Sequence, residues 1–153
     1  MCLSIEFVDL NKNFELLKKL LLFLNAEKYE WIIGDADIYS VPDLESILNR
    51  GEYSEKKYSQ YSGDNLISLL GKPVNYVFVE LFAFDSFEKV PETYEEFLLS
   101  NCEIALFVDD CNYYSLFVKD KSIHFEMNSF LVNNGVSEIS VLDDENANRL
   151  FGL

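Results

Sequence analysis

Carboxylates are the side chains of this sequence most able to do chemistry. They gather as Asp35 with Asp37, as Asp109 with Asp110, and as the run Asp143-Asp144-Glu145. Oxygen clusters of this kind can hold a hard cation, but none follows the order of an EF-hand loop, and acidic turns are ordinarily solvated. One histidine, His124, and three scattered cysteines do not make a zinc ligand set. There is no glycine-rich phosphate loop, HExxH motif or paired CxxC. No metal, cofactor or catalytic residue is therefore expected. Glu80 stands apart, because it interrupts an apolar stretch. A buried ionised carboxylate needs a partner or a raised pKa. Glu80 is expected to point outward at a sheet end; the alternative is a pocket in which it serves as acid or base.

Tyrosines form the second group. Tyr53-Ser54, Tyr58-Ser59 and Tyr61-Ser62 fall within residues 51–63, with Lys56 and Lys57 between them. The segment is poor in aliphatic residues and is expected to be an exposed loop. Tyrosine supplies contact area at modest entropic cost, so Tyr53, Tyr58 and Tyr61 are candidate protein-binding anchors beside Asp109, Asp110, Asp143, Asp144 and Glu145. Against this stands a plain connecting loop, since loops connect more often than they bind.

The formal charge is -15, unevenly spread. Residues 1–76 carry 12 acidic and 8 basic side chains, residues 77–153 carry 15 and 4. Nucleic acid and anionic membrane are excluded as expected partners by repulsion. A basic protein is the natural partner, because such a field accelerates encounter. Acidity for solubility alone is the bland alternative.

A chain of 153 residues can bury a sizeable core, and one domain over residues 1–153 is expected. Aromatic and aliphatic content argues against disorder. The apolar run at residues 20–24 is too short to span a bilayer, and the first residues lack a secretory pattern. Cys2, Cys102 and Cys111 are read as free thiols of a cytoplasmic protein: Cys102 and Cys111 fall at opposite ends of a predicted hairpin, too far apart to bridge.

The elements that position these groups are readable from periodicity. Strands are predicted over 3–8, 29–33, 38–41, 76–84, 104–108, 113–118 and 136–142. Gly34-Asp35-Ala36-Asp37 is read as a hairpin turn in which Gly34 supplies positive φ. Helices are predicted over 14–25, 43–48, 66–70, 94–98, 120–134 and a terminal turn from 143. Apolar residues recur at helical spacing in the first, as Phe14, Leu17, Leu20, Leu21 and Leu24. Pro42 suits a first helical position of the second. Thr93 with Glu96 forms the capping-box pattern, Asp120 can cap the next helix, and Gly135 can stop it. The unalternating run 104–108 predicts a strand covered on both faces. Trp31 is expected in the core. The order is β-α-β-β-α, then β-α-β-β-α-β, the second half matching a split βαβ pattern. The fold class is α+β, with a mixed or mostly antiparallel sheet of six or seven strands under packed helices.

Residues 93–98 (TYEEFL), Asn101-Cys102-Glu103, Lys119-Asp120-Lys121, residues 29–34 (YEWIIG) and Asp144-Glu145-Asn146 resemble a family of small acidic firmicute proteins catalogued as a domain of unknown function. The resemblance implies no established reaction, cofactor or site. In size, acidity and lack of catalytic motifs, the chain is also similar to immunity proteins of bacterial toxin systems. The expected function is non-enzymatic binding of a basic protein such as a toxin or nuclease. Two alternatives are a small-ligand or hydrolytic protein using pocket carboxylates, and a regulatory or structural protein.

Overall fold

The computed structural model describes residues 2–10, 15–40, 46–49, 58–110 and 112–152. Among these, eight strands form one sheet: β1 (Leu3–Val8), β2 (Glu30–Ser40), β3 (Ser46–Asn49), β4 (Ser59–Ser62), β5 (Val74–Phe84), β6 (Cys102–Asp109), β7 (Tyr113–Val118) and β8 (Ser137–Val141). The order is β3-β2-β5-β6-β7-β1-β8, with β4 also pairing β2. Every recorded pairing is antiparallel. The helices are α1 (Glu15–Phe23), α2 (Gly63–Leu70), α3 (Tyr94–Leu99), α4 (Lys121–Asn133) and α5 (Asp144–Leu150), and a 3-10 turn lies at Ala26–Lys28. The fold is α+β, as composition and element order predict.

The sheet has a helix-bearing core on each face. On one, Leu17 and Leu20 of α1, Leu66 and Leu70 of α2, and Met127 and Leu131 of α4 pack on Ile33, Leu81, Leu106 and Leu116. Trp31 is fully buried here and donates its indole N–H to the Ala26 carbonyl at 2.9 Å. On the other, Tyr94 and Phe97 of α3 and Ala147 of α5 pack with Phe151 on Phe82, Ala105, Phe107 and Phe117. Residues 104–108 contribute alternately to the two cores, which is why that run shows no polar alternation.

Local capping fixes the helix starts. Thr93 Oγ1 accepts from the Glu96 amide at 3.1 Å. The reciprocal bond of a capping box lands one residue early: Glu96 Oε2 accepts from the amide of Glu92 at 2.8 Å. Asp120 and Asp143 cap α4 and α5 by accepting from the Ser122 and Asn146 amides. Gly135 takes φ of 80° just beyond α4, as a left-handed stop requires. Ser62, one position before the helix, caps α2. Gly63 then presses on the 3-10 turn, where an added Cβ would lie 2.0 Å from the Ala26 carbonyl oxygen.

Three expectations are corrected. Residues 34–37 do not make a hairpin turn. They lie inside the continuous strand β2, and Gly34 is not among the positive-φ glycines. Between Ile33↔Leu81 and Ala36↔Val79, β2 spends one residue more than β5, so Gly34-Asp35 is a bulge opposite Glu80. Bulges and turns share a local composition, and only the long partner strand distinguishes them. Second, the predicted helix over 43–48 fails at its end, because Ser46–Asn49 pairs with β2 at Asp37–Tyr39; residues 41–45 lie outside the described residues. Third, residues 51–63 are not one exposed loop, since Ser59–Ser62 pairs with Glu30–Ile33. The strands β3 and β4 thus share the outer edge of β2 end to end.

Candidate functional site

Strand register decides which polar residues meet. The row Glu80↔Phe107↔Ser115↔Glu6↔Ser140 crosses β5, β6, β7, β1 and β8. The next row is Phe78↔Asp109↔Tyr113↔Val8. Directly paired residues point to the same face. Phe107 belongs to the aromatic core under α3 and α5, so both rows lie on that face. The helices cover only part of it. In the row beyond Phe82↔Ala105↔Phe117↔Ser4, Glu80, Ser115 and Glu6 are half-buried while Phe107 stays buried.

The boundary is set by the end of α5. The Phe151 ring sits 5.1 Å from Phe107 and 5.0 Å from Phe117, edge-on to both. Past this stack are two adjoining depressions. One, about 420 Å³, is lined by Glu6, Asp109, Tyr113, Ser115, Glu138 and Leu150 among others. The second, about 290 Å³, is lined by Asp35, Phe78, Glu80, Asp109 and Gly152 among others. Phe107 and Asp109 line both, and Phe107 is itself buried beneath the Phe151 ring. Among the described residues the lining includes five carboxylates and no cation.

Within the site, Glu80 is half-buried in mid-strand and does not point outward at a sheet end. Its Oε1 accepts from the Asp35 amide in the bulge at 3.1 Å. The bulge is tight here, since a Cβ at Gly34 would come 3.3 Å from both Glu80 Cβ and the Phe82 ring. The Asp35 and Glu80 carboxylates thereby share one depression. Glu138 reaches the rim from an irregular stretch of the edge strand β8, where it takes φ of 53°. Asp37 Oδ1 is buried with no hydrogen-bond partner among the described residues.

The sequence-selected residues fall in different places. Asp109 lies on the open floor. Asp110 takes φ of 51° in the β6–β7 turn, and its amide donates to the Val77 carbonyl at 2.8 Å. Asp143 is a helix cap, with Asp144 and Glu145 beside it in the first turn of α5. Tyr61 pairs with Trp31 and packs against the main core, whereas Tyr58 is exposed. Tyr53 and Cys111 lie outside the described residues. Glu6, Glu138 and Tyr113 also line the first depression, with no sequence motif to mark them. Their one signal was position on the non-core phase of a strand, which does not say what stands alongside.

Away from the floor, Cys102 is a free, fully buried thiol, pushed up to about 12 by burial. Cys2, also free, is raised by burial as well. Lys119 Nζ donates to the Ser100 carbonyl at 2.7 Å and lies 4.7 Å from the Phe97 ring centre; burial lowers its pKa. His124 is half-buried, with Nε2 2.9 Å from the Val118 carbonyl oxygen. No helix among the described residues is long and apolar enough to cross a membrane.

Comparison with known proteins agrees with a family lacking an assigned activity. Over 75 residues the chain is 35% identical to a Bacillus subtilis (strain 168) protein named "Uncharacterized protein YncE", a match covering 48% of this chain and 49% of that protein. The chain thus spans about half the length of this curated relative. No solved structure matches it. A family model described as "Protein of unknown function (DUF2691)" matches residues 2–150. With nearly its whole length matched, the chain belongs to the DUF2691 family.

Proposed function

We propose that this protein is a non-catalytic binding domain for a basic protein. The observation that carries the reading is the open half of the second sheet face. There Glu6, Asp35, Glu80, Asp109 and Glu138 line two adjoining depressions, with no cation lining them among the described residues. Tyr113, more than half exposed, and the half-buried Phe78 offer aromatic contact area, and the carboxylates set encounter rate and specificity. The net charge of -15 extends the attraction beyond the floor. A toxin or nuclease domain is the kind of cationic protein that such a surface neutralises, which would give this domain an immunity-protein role. Free thiols at Cys2 and Cys102 support a reducing, cytoplasmic setting.

The test is affinity purification of the tagged protein from its native host, with captured proteins identified by mass spectrometry and then purified. A cationic protein that rebinds the purified chain at low salt, and weakens steeply as salt rises, is expected. Recovery of no basic protein at low salt would overturn the reading.

A further inference from the structure

We infer that the outer face of α4 is a contact surface for a second copy of this chain. Two α4 helices pack antiparallel across a two-fold axis, with Phe125 of each copy against Val132 of the other. The inference is independent of the proposed binding of a basic protein, because α4 lies on the opposite face of the sheet from the two depressions.

The helix has two apolar sides. Ile123, Met127 and Leu131 are buried in the core under it. Pointing away from that core are Phe125, 94% exposed, and Val132, 56% exposed. Seven residues fall about 20° short of two full turns, so these side chains form one outward stripe. Ser122, Asn128 and Ser129, exposed beside them, are short and uncharged. They let another helix come close without burying an ionised group.

Charge selects the occupant. At a net charge of -15, two copies repel one another over most approaches. The two helix layers differ, however. Helices α1, α2 and α4 carry three acidic and three basic side chains, whereas α3 and α5 carry four and one. A basic protein is drawn to the second layer; like-charged copies meet at least cost through the first. Symmetry then completes the match. A two-fold axis passing between Asn128 and Ser129 lies about 5 Å along the helix from both Phe125 and Val132. Antiparallel packing therefore sets each ring at the level of the other copy's Val132, as a self-complementary contact requires. It also brings Lys121 to the end of the other α4, whose last turn has no basic residue and whose dipole favours a cation. Two Phe125 rings supply about 400 Å² of buried surface. A helix pair built on them falls below the roughly 1,200 Å² of a standard interface, so the dimer is weak.

The experiment is sedimentation of the full chain over a concentration series reaching about 1 mM, at low and high salt. A shift from the 17.7 kDa chain to twice that mass is expected, half complete near about 100 µM. Higher salt should strengthen the dimer by screening the residual repulsion, the reverse of its effect on a basic partner. Phe125→Glu should weaken the dimer at least about tenfold, since it sets a carboxylate against an apolar side chain. Leu99→Glu, at an 84% exposed position of α3, adds the same charge and should leave the dimer as it was. Circular dichroism checks that both variants are folded. Ser129→Cys, beside the two-fold axis, should give a disulfide-linked dimer on mild oxidation, and Leu99→Cys should not. A chain that stays monomeric to about 1 mM overturns the inference, as does a dimer that survives Phe125→Glu. A dimer lost in that variant but not linked through Ser129→Cys overturns the antiparallel two-fold packing. None of these results bears on the capture of a basic protein.

Discussion

The backbone amide of Asp35 donates to Glu80 Oε1 at 3.1 Å, so the bulge in β2 and the carboxylate of β5 hold one another in place. The bond depends on an acceptor oxygen, not on charge. Glu80→Gln keeps that oxygen and should change stability by less than about 0.5 kcal/mol in urea unfolding. Glu80→Ala removes it and should cost about 1 kcal/mol. If Gln proves as costly as Ala, the ionised group and not the acceptor is what the bulge requires.

Phe151 joins α5 to the sheet through ring contacts with Tyr94, Phe97, Phe107 and Phe117. Phe151→Ala should cost about 3 kcal/mol, because the cavity it leaves is walled by other buried rings. The loss should appear in the midpoint of denaturant unfolding, with α5 amides exchanging faster in hydrogen-exchange measurements. An unchanged midpoint would mean that the stack contributes nothing to stability.

Gly63 has no space for a side chain, since a Cβ would lie 2.0 Å from a backbone oxygen. Gly63→Ala must displace either the start of α2 or the 3-10 turn. A loss of about 2 kcal/mol or more is expected by thermal denaturation, despite the better helix propensity of alanine. A stabilised variant would contradict the close approach.

Cys102 supplies a pH dependence. Burial pushes its thiol from 9.0 up to about 12, so the folded chain keeps a proton that the unfolded chain releases. Its stabilising contribution is complete below about pH 9 and is lost as pH rises from there towards 12. The slope for one proton is about 1.4 kcal/mol per pH unit. Lys119 and Glu103 act on the thiol with opposite signs, and burial lowers the pKa of Lys119 itself. The informative measurement is therefore the difference between parent and Cys102→Ala at pH 8 and pH 10. The parent should lose about 1 kcal/mol more than the variant over that interval. Equal losses would place the thiol nearer its ordinary value.

Much of the architecture is determined by local signals. Thr93, Asp120 and Asp143 present side-chain oxygens to free amides, which needs only neighbouring residues. The run 104–108 announces a strand buried on both faces because no position along it is polar. Tertiary pairing decided the rest. Residues 34–37 carry the composition of a turn, yet eleven residues of β5 hold them extended as a bulge. Ser46–Asn49 is a strand because the outer edge of β2 offers a ladder of hydrogen bonds. The same holds for the floor. Glu80 interrupts an apolar stretch and Glu6 sits within the first strand, but a period of two names a face and not its neighbours. Only the order β5-β6-β7-β1, with its register, puts those carboxylates in one row across Phe107. Pairing between distant segments is set by the energy of the whole sheet, so no local stretch of chain can encode it alone.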